Sequence, residues 1–376
     1  MPAGPGPVPA VSAVTANVGI VGCGVIASQY LRTIERLPEL RLVAVADLDR
    51  DRAAQAARPY PGVEVLEVPE LIADPRVDVV LNLTVPAAHA EIALRAAEAG
   101  KDVYGEKPLA ATTEEARRVL RAAEAAGVRV GCAPDTVLGT GTQTARKAID
   151  DGLIGTPMAA TATMVTPGHE RWHPNPDFYY LPGGGPLMDM GPYYLTSLVT
   201  LLGPVTRVIG AAARGRPTRT IGSGPRRGEE IPVRVDTHVT GVLVHASGAL
   251  STLVMSFEGA GSRAPNIEVH GDEGSLAVPD PNRFDGVVRY VAAGERDWRD
   301  LPVSAGYAEA GRGVGVADLV ATPEGEEPRA GGTLAFHVLD VMESLLSAAA
   351  AGTAVTVAST CERPRPVPLC SSASTT

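Results

Sequence analysis

The chain has 376 residues and a mass of 38.8 kDa, enough for two domains at about 150 residues each. Hydrophobic residues make up 45% and charged residues 20%, and 41 Gly with 32 Pro stay under the roughly 25–30% share that marks low-complexity chains, so a packed globular protein is expected. A net charge of −10 and a pI near 5.3 repel a phosphate backbone or an anionic bilayer, which argues against nucleic-acid and membrane partners.

Residues 1–16 hold no Lys or Arg and read as a disordered Pro/Ala arm without the charged start of a secretory leader. No apolar run reaches the ~18–20 residues of a bilayer span. Cys23, Cys132, Cys361 and Cys370 show no CxxC spacing and are too few for a disulfide framework, so a cytoplasmic location with free thiols is expected. No His, Cys, Asp or Glu cluster has metal-ligand spacing, and no metal is expected.

From residue 17 to 131 strands and helices alternate. Val18–Val21 is a short apolar strand, and a helix carrying Ile26, Tyr30, Ile34 and Leu37 follows until Pro38 stops it. Leu42–Ala46 and Val77–Leu83 are further buried strands. A helix over Ala88–Ala99 ends at Gly100, Asp102–Gly105 is a fourth strand, Thr112 and Glu115 open a helix that runs to Gly127, and Val128–Gly131 is a fifth strand. This alternation predicts an α/β domain with a doubly wound parallel sheet over residues 17–135.

Residues 136–360 form a second α/β domain. Val235–His245 alternates, with Val235, Thr237, Val239 and Leu243 on one face, as do Leu253, Met255 and Phe257. Short strands at Ile267–His270, Ser275–Val278 and Val287–Val291 complete a large, open, mostly antiparallel sheet. Gly222–Glu230 and Pro323–Pro328 read as exposed loops, and a last helix carries Leu334, Val338, Met342 and Leu345 up to about Gly352. Residues 361–376, Pro- and Ser-rich from Arg363 on, read as a disordered tail.

Gly22, Cys23, Gly24, Val25, Ile26 and Ala27 fit G-x-G-x-x-G/A, between a strand and a helix. Asp47 ends the next strand 20 residues later, with Leu48 beside it. Gly22 permits the tight turn, Gly24 lets backbone approach a pyrophosphate, and Ala27 packs helix on sheet. Asp47 suits ribose hydroxyls and repels a 2′-phosphate, which favours NAD over NADP; Arg50 and Arg52 stand nearby.

Three further segments carry more: Asn82-Leu83-Thr84-Val85-Pro86 through His89, Glu106-Lys107-Pro108, and Gly183-Gly184-Gly185-Pro186-Leu187-Met188-Asp189. With the glycine turn they resemble the Gfo/Idh/MocA family of sugar and cyclitol oxidoreductases, over nearly all of residues 17–360. The resemblance implies a Rossmann domain and an open-sheet domain with the active site between them, and a homodimer or homotetramer. It places Lys107 and Asp189 at the nicotinamide and the reacting C–OH. Many members carry an acid/base His four residues after that Asp; here the position is Tyr193, as in a subset that includes sugar ketoreductases. A second departure is Ala133-Pro134-Asp135-Thr136, where many members have an Asn-x-x-Arg-like segment.

The implied chemistry is hydride transfer between a nicotinamide and a secondary alcohol or ketone of a sugar, sugar derivative or cyclitol. Either Tyr193, acidified by Lys107, or Lys107 itself, with its pKa lowered by burial, takes the proton. His89 reads as cofactor-adjacent. Asp135, Trp172, His173 and His337 are candidate substrate contacts, although His337 also suits plain packing. Two other readings fit the same scaffold: NAD-dependent glycoside cleavage with internal cofactor recycling, and a non-catalytic dinucleotide sensor.

Overall fold

The computed structural model describes residues 15–371, so residues 1–14 of the expected arm and 372–376 of the expected tail lie outside it. β1 (Ala16–Val21), α1 (Ala27–Ile34), β2 (Leu40–Ala46), α2 (Arg50–Ala57), β3 (Glu64–Val65), α3 (Val68–Ala73), β4 (Val79–Asn82), α4 (Pro86–Glu98), β5 (Asp102–Gly105), α5 (Thr113–Ala126) and β6 (Val130–Cys132) alternate along the chain. The six strands form one parallel sheet in the order β3-β2-β1-β4-β5-β6, a doubly wound Rossmann arrangement. β4 is buried along its whole length, as a strand covered by helices on both faces must be.

Two boundaries differ from expectation for local reasons. α1 closes at Ile34, and Glu35–Leu37 continue in a tighter turn, with Arg36 N–H donating to Thr33 and Leu37 N–H to Ile34. Pro38 pushes the residue before it out of helical geometry. β6 starts two residues later than expected, because Val128 N–H is spent closing the end of α5. It donates to Ala123 across Gly127, which holds φ 67°.

After α6 (Thr140–Asp150) come β7 (Pro157–Val165), α7 (Pro186–Leu202), β8 (Val205–Ala213), a small hairpin of β9 (Thr218–Thr220) and β10 (Glu230–Pro232), then β11 (His238–His245) and β12 (Leu250–Ser256). β13 (Ile267–Gly271), β14 (Gly274–Val278), β15 (Arg289–Ala292), β16 (Arg299–Asp300) and β17 (Tyr307–Ala308) follow. The chain then runs through α8 (Val314–Ala321), α9 (Gly332–Ala351), β18 (Val355–Thr356) and β19 (Cys370–Ser371). Nine strands make one sheet, β16-β15-β14-β13-β7-β12-β11-β8-β18, in which only the β7–β12 pair is parallel. α7 packs on β7, β11 and β12, and α9 lies over β8 and against α5 and α7. The sheet's other face leaves Ile209 and Leu250 about half exposed. α9 has the length and apolar composition of a bilayer-crossing helix, but here it is a core helix that buries Leu334, Val338, Met342 and Leu345.

Residues 361–371 correct the expectation of a disordered tail. Arg363 donates to the Thr200 carbonyl, Val367 N–H to Gln143, and Cys370 N–H to Gly306, while β19 pairs with β17. Pro and Ser prevent a helix but not an extended strap whose polar groups find partners elsewhere. α8 also crosses the expected boundary at residue 135. Val316, Ala317 and Leu319 enter the Rossmann core beside Tyr104 and Ala133.

Candidate active site

The glycine turn leaves β1 with no room to spare. Gly22 holds φ 97°, and a Cβ there would come within 2.7 Å of the Leu83 carbonyl. Leu83 therefore acts through its backbone, beneath the turn. Gly24 is the opposite case: a Cβ there would meet nothing within 4 Å. The N-terminus of α1 behind it has no side-chain cap; Ala27 N–H donates to the Gly24 carbonyl and Gln29 N–H to that of Ile26, and the positive end of the helix dipole is left for an anion. Val25, Leu48 and Val85 stand exposed at 93%, 101% and 66%, while Cys23 is buried. An open glycine, an uncapped helix start and exposed apolar side chains fit a dinucleotide.

Asp47 is less free than the sequence suggests. Its carboxylate accepts from Cys23 N–H at 2.7 Å and Asp49 N–H at 2.9 Å, and Arg52 stands 3.3 Å away. Asn82 is buried, donating to the His89 carbonyl at 3.0 Å and accepting from the Thr84 hydroxyl at 2.6 Å. His89 is buried on α4, with Nδ1 2.6 Å from the Pro108 carbonyl and Nε2 3.0 Å from that of Thr84. His89 thus ties the loops after β4 and β5 together, and Asn82 fastens the end of β4 to α4 and Thr84. Pro86 is the first residue of α4, where its missing N–H costs nothing.

Glu106 leaves β5 buried, accepting from Tyr30 Oη on α1 at 2.8 Å and from the Lys107 N–H at 3.1 Å. Lys107, joined to Pro108 by a cis peptide, projects across to α7. Its Nζ donates to Asp189 Oδ1 at 2.8 Å and to the Asp189 carbonyl at 2.7 Å. Pro192, inside α7, supplies no N–H to the first turn of that helix, which holds Asp189. Tyr193, one residue on, lies with its ring centroid 5.4 Å from Lys107 Nζ and 5.4 Å from the guanidinium of Arg312.

Burial opposes both charges of the Lys107–Asp189 pair, yet the partners outweigh it. Asp189, Tyr193 and Glu106 hold the Lys107 ammonium above its ordinary pKa, and Lys107 with His169 holds the Asp189 carboxyl well below the usual carboxylate range. Burial raises the Tyr193 phenol, and Lys107 and Arg312 only partly offset it. Neither expected base is therefore poised to lose its proton near neutrality: Lys107 is a cation and Tyr193 a neutral phenol.

The sequence reading missed His169. Its Nε2 lies 3.0 Å from Asp189 Oδ2, and as an ionised carboxylate only accepts, this nitrogen donates. His169 packs among Trp172, Tyr179 and Phe257 at centroid distances of 5.2, 4.7 and 4.6 Å. The available signal was the aromatic density of residues 169–180 in a chain with only 4% Phe, Trp and Tyr. That density drew attention to Trp172 and His173, which both join the cluster.

Two expected substrate contacts are corrected. Asp135 is fully buried and its Oδ2 accepts from Gly313 N–H at 2.7 Å and Gly315 N–H at 3.1 Å, serving the start of α8. Burial pushes its carboxyl up to about 6, against the pull of Arg312 and these N–H groups. His337 is fully buried under β8, accepting from Val205 N–H at 3.0 Å and bonded to Ser359 Oγ at 2.9 Å; burial pushes its imidazole down to about 4. Among the described residues, no three His, Cys, Asp or Glu side chains are grouped to hold a metal ion.

A family model described as an oxidoreductase family with an NAD-binding Rossmann fold matches residues 16–133, and one described as a GFO/IDH/MocA C-terminal domain matches residues 142–277. The chain is 32% identical over 265 residues to the 1,5-anhydro-D-fructose reductase of Ensifer adhaerens, covering 69% of this chain and 74% of that protein. It is 27% identical over 287 residues to the levoglucosan dehydrogenase of Pseudarthrobacter phenanthrenivorans, covering 69% and 72%. Among solved structures, an NAD-binding oxidoreductase from Klebsiella pneumoniae superposes with a TM-score of 0.79 at 25% identity, over 91% of this chain and 99% of that one.

Proposed function

The chain belongs to the Gfo/Idh/MocA family of NAD-binding oxidoreductases, and from that membership we propose that it moves a hydride between NAD and a secondary CH–OH carbon of a pyranose-type sugar, with Lys107, Asp189 and Tyr193 around the reacting oxygen. The observation that carries this reading is the buried Lys107–Asp189 pair beside Tyr193, beyond the C-terminal ends of the Rossmann strands, where open α/β sheets bind their ligands. Gly22, Gly24, Val25, Ile26, Asp47, Leu48 and Thr84 would hold the dinucleotide, which supplies the hydride acceptor or donor. Asp47 favours NAD over NADP because a 2′-phosphate beside its carboxylate brings like charges together.

The protein's own groups act on the oxygen. Lys107 Nζ, fixed by Asp189, presents a cation to the substrate oxygen and stabilises alkoxide character. Tyr193 is a protonated phenol flanked by two cations, suited to give its proton to a forming alkoxide; in the oxidative direction it must first lose that proton. His169 keeps the second oxygen of Asp189 occupied, so the first stays directed at Lys107. The half-exposed apolar side chains Ile209 and Leu250 support a homo-oligomer formed through the open face of the large sheet.

The test is absorbance of the reduced nicotinamide during incubation with NAD or NADP and a panel of sugars, anhydrosugars and cyclitols. The wild type should reduce NAD with at least one of them. Lys107→Met should lose roughly a thousandfold in kcat/KM while still binding NADH by fluorescence. A Lys107→Met enzyme as active as wild type would remove the assignment. Flat wild-type traces from protein that binds NADH would instead favour internal cofactor recycling.

A further inference from the structure

Residues 169–180 of the chain make a feature that hydride transfer to a small sugar does not need. The whole protein has two Trp and four Phe, and one Trp and two Phe join the aromatic cluster around His169 beside the Lys107–Asp189 centre: Phe257 is buried, while Trp172 is 59% exposed and Phe178 54%. Their rings are linked inward without a gap. Trp172 meets His169 edge-on at 5.2 Å and His173 at 5.5 Å, and His173 meets Phe178 at 5.4 Å. His169 in turn bonds Asp189, so the exposed rings begin one side chain away from the proposed reacting centre.

The segment carrying these rings is fastened from beneath. Ser223 Oγ donates to the Trp172 carbonyl at 2.7 Å, Gly222 N–H to the Glu170 carbonyl at 2.7 Å, and Arg226 grips both carboxylate oxygens of Asp177, one residue before Phe178. Glu170 is buried and held by Arg219 at 3.1 Å and by the Tyr180 hydroxyl. A loosely held loop would fold its apolar rings inward; one pinned at its backbone holds them out as a preformed surface. Rigid aromatic faces with polar groups at one end are what ring-shaped, amphipathic ligands bind, because the C–H face of a pyranose or the face of an aryl group packs flat on them while its polar edge meets water.

We propose that Trp172 and Phe178 form a subsite for a second ring, so that the substrate is a glycoside whose sugar is oxidised at Lys107–Asp189 while the ring it carries lies on this shelf. The proposal rests on the oxidoreductase reading above and narrows it, from pyranose-type sugars in general to those bearing a ring-shaped aglycone. That aglycone is a second pyranose or an aryl group, both of which offer the same flat apolar face.

The test uses a matched series on one sugar core: free sugar, methyl glycoside, phenyl glycoside and disaccharide, assayed by NAD reduction with the full-length enzyme. In the wild type, kcat/KM for a ring-bearing glycoside should exceed that for the methyl glycoside by about tenfold or more, chiefly through KM, as a stacking energy near 1.4 kcal/mol gives. Trp172→Ala and Phe178→Ala should bring that ratio toward one, and Trp172→Phe should keep most of it. Because the ratio is taken within each protein, partial misfolding cancels. The phenyl and disaccharide arms separate the two kinds of ring.

A ratio near one in the wild type, or one unchanged by both alanine variants, overturns the proposal. So does a change of sedimentation mass in those variants with no change of ratio, which would make the shelf a contact between copies. A binding readout keeps the subsite testable without turnover. In a Trp298→Phe background Trp172 is the sole tryptophan, and the phenyl glycoside should quench its fluorescence saturably. Quenching without NAD reduction would count against the oxidoreductase reading alone; NAD reduction without ratio or quenching would count against the shelf alone.

Discussion

At the residue scale the proposed reacting groups are both in their acid forms, and this sets a direction for pH dependence. Lys107 is held above its ordinary pKa by Asp189, and Tyr193 is raised by burial. Oxidation of an alcohol needs one of them to accept a proton, and ketone reduction needs one to donate it. The oxidation rate at saturating NAD should therefore climb through the alkaline range with no plateau at neutral pH, while reduction falls over the same range. A steady-state profile from pH 6 to 10.5 checks this, and a flat oxidative profile would refute it. Tyr193→Phe should lower turnover and flatten the limb if the phenol is the group that titrates.

Asp135 offers a second residue-scale expectation, on stability. Its carboxyl sits at about 6 against an ordinary 3.8, so between those values the folded state binds the proton that the unfolded chain has released. Stability from this group is full below about pH 4 and is lost as pH rises to about 6, by up to about 3 kcal/mol. Asp135→Asn keeps an acceptor for Gly313 and Gly315 but cannot ionise. Relative to wild type it should gain stability progressively from pH 4 to 7 in urea unfolding; a constant offset across that range would show that the carboxyl does not titrate there. Asp135 also shows where single-residue reading stops. Lys107 and Asp189 are legible because each sits in a motif whose local sequence fixes its place. The role of Asp135 depends on backbone N–H groups 178 and 180 residues away, and His169 meets Asp189 only once a loop folds over α7.

At the element scale, most of the Rossmann half was readable because its longer strands are short, largely apolar runs and its longer helices carry their own start or stop; α2, α3 and the two-residue β3, all between Arg50 and Ala73, were missed. Thr112 does accept from Glu115 N–H at 3.2 Å, and Gly127 does close α5 in left-handed geometry. β7 and β8 were missed: Pro157–Val165 is largely Ala, Thr and Met, and the strand character of both comes from pairing with distant partners. The glycine turn gives a sharp element-level contrast. Gly22→Ala forces a side chain into φ 97° and against the Leu83 carbonyl, and should cost about 2–3 kcal/mol together with dinucleotide binding. Gly24→Ala points into open space. It should leave unfolding within about 0.5 kcal/mol of wild type and still weaken NADH binding, because the added methyl occupies the approach of the ligand. Denaturant titration with NADH fluorescence separates the two; equal losses of stability would refute the contrast.

For the whole molecule, the chain does not divide where its sequence pattern does. The segment after the large sheet returns to the Rossmann sheet and completes it. Arg129 donates to the carbonyls of Leu319 at 2.8 Å and Thr322 at 3.0 Å at the end of α8, Cys132 N–H donates to Ala330, and Asp135 holds the start of the same helix. Periodicity could not reveal this, since α8 reads as any apolar helix and its partner strand lies about 180 residues earlier. The consequence is cooperative. Without α8, the core around Tyr104 and Ala133 would face water, so the dinucleotide domain cannot outlast the rest of the fold. Thermal unfolding followed by loss of NADH binding, which reports the Rossmann half, should coincide with that followed by tryptophan fluorescence, since Trp172 and Trp298 both lie in the far half. Gly315→Ala sharpens the test, because its Cβ would fall 2.1 Å from the buried Tyr104 hydroxyl at this junction. It should lower both transitions together, by about 2 kcal/mol or more. A variant that lowers the NADH-linked transition alone would mean that the two halves fold independently and that α8 is only docked.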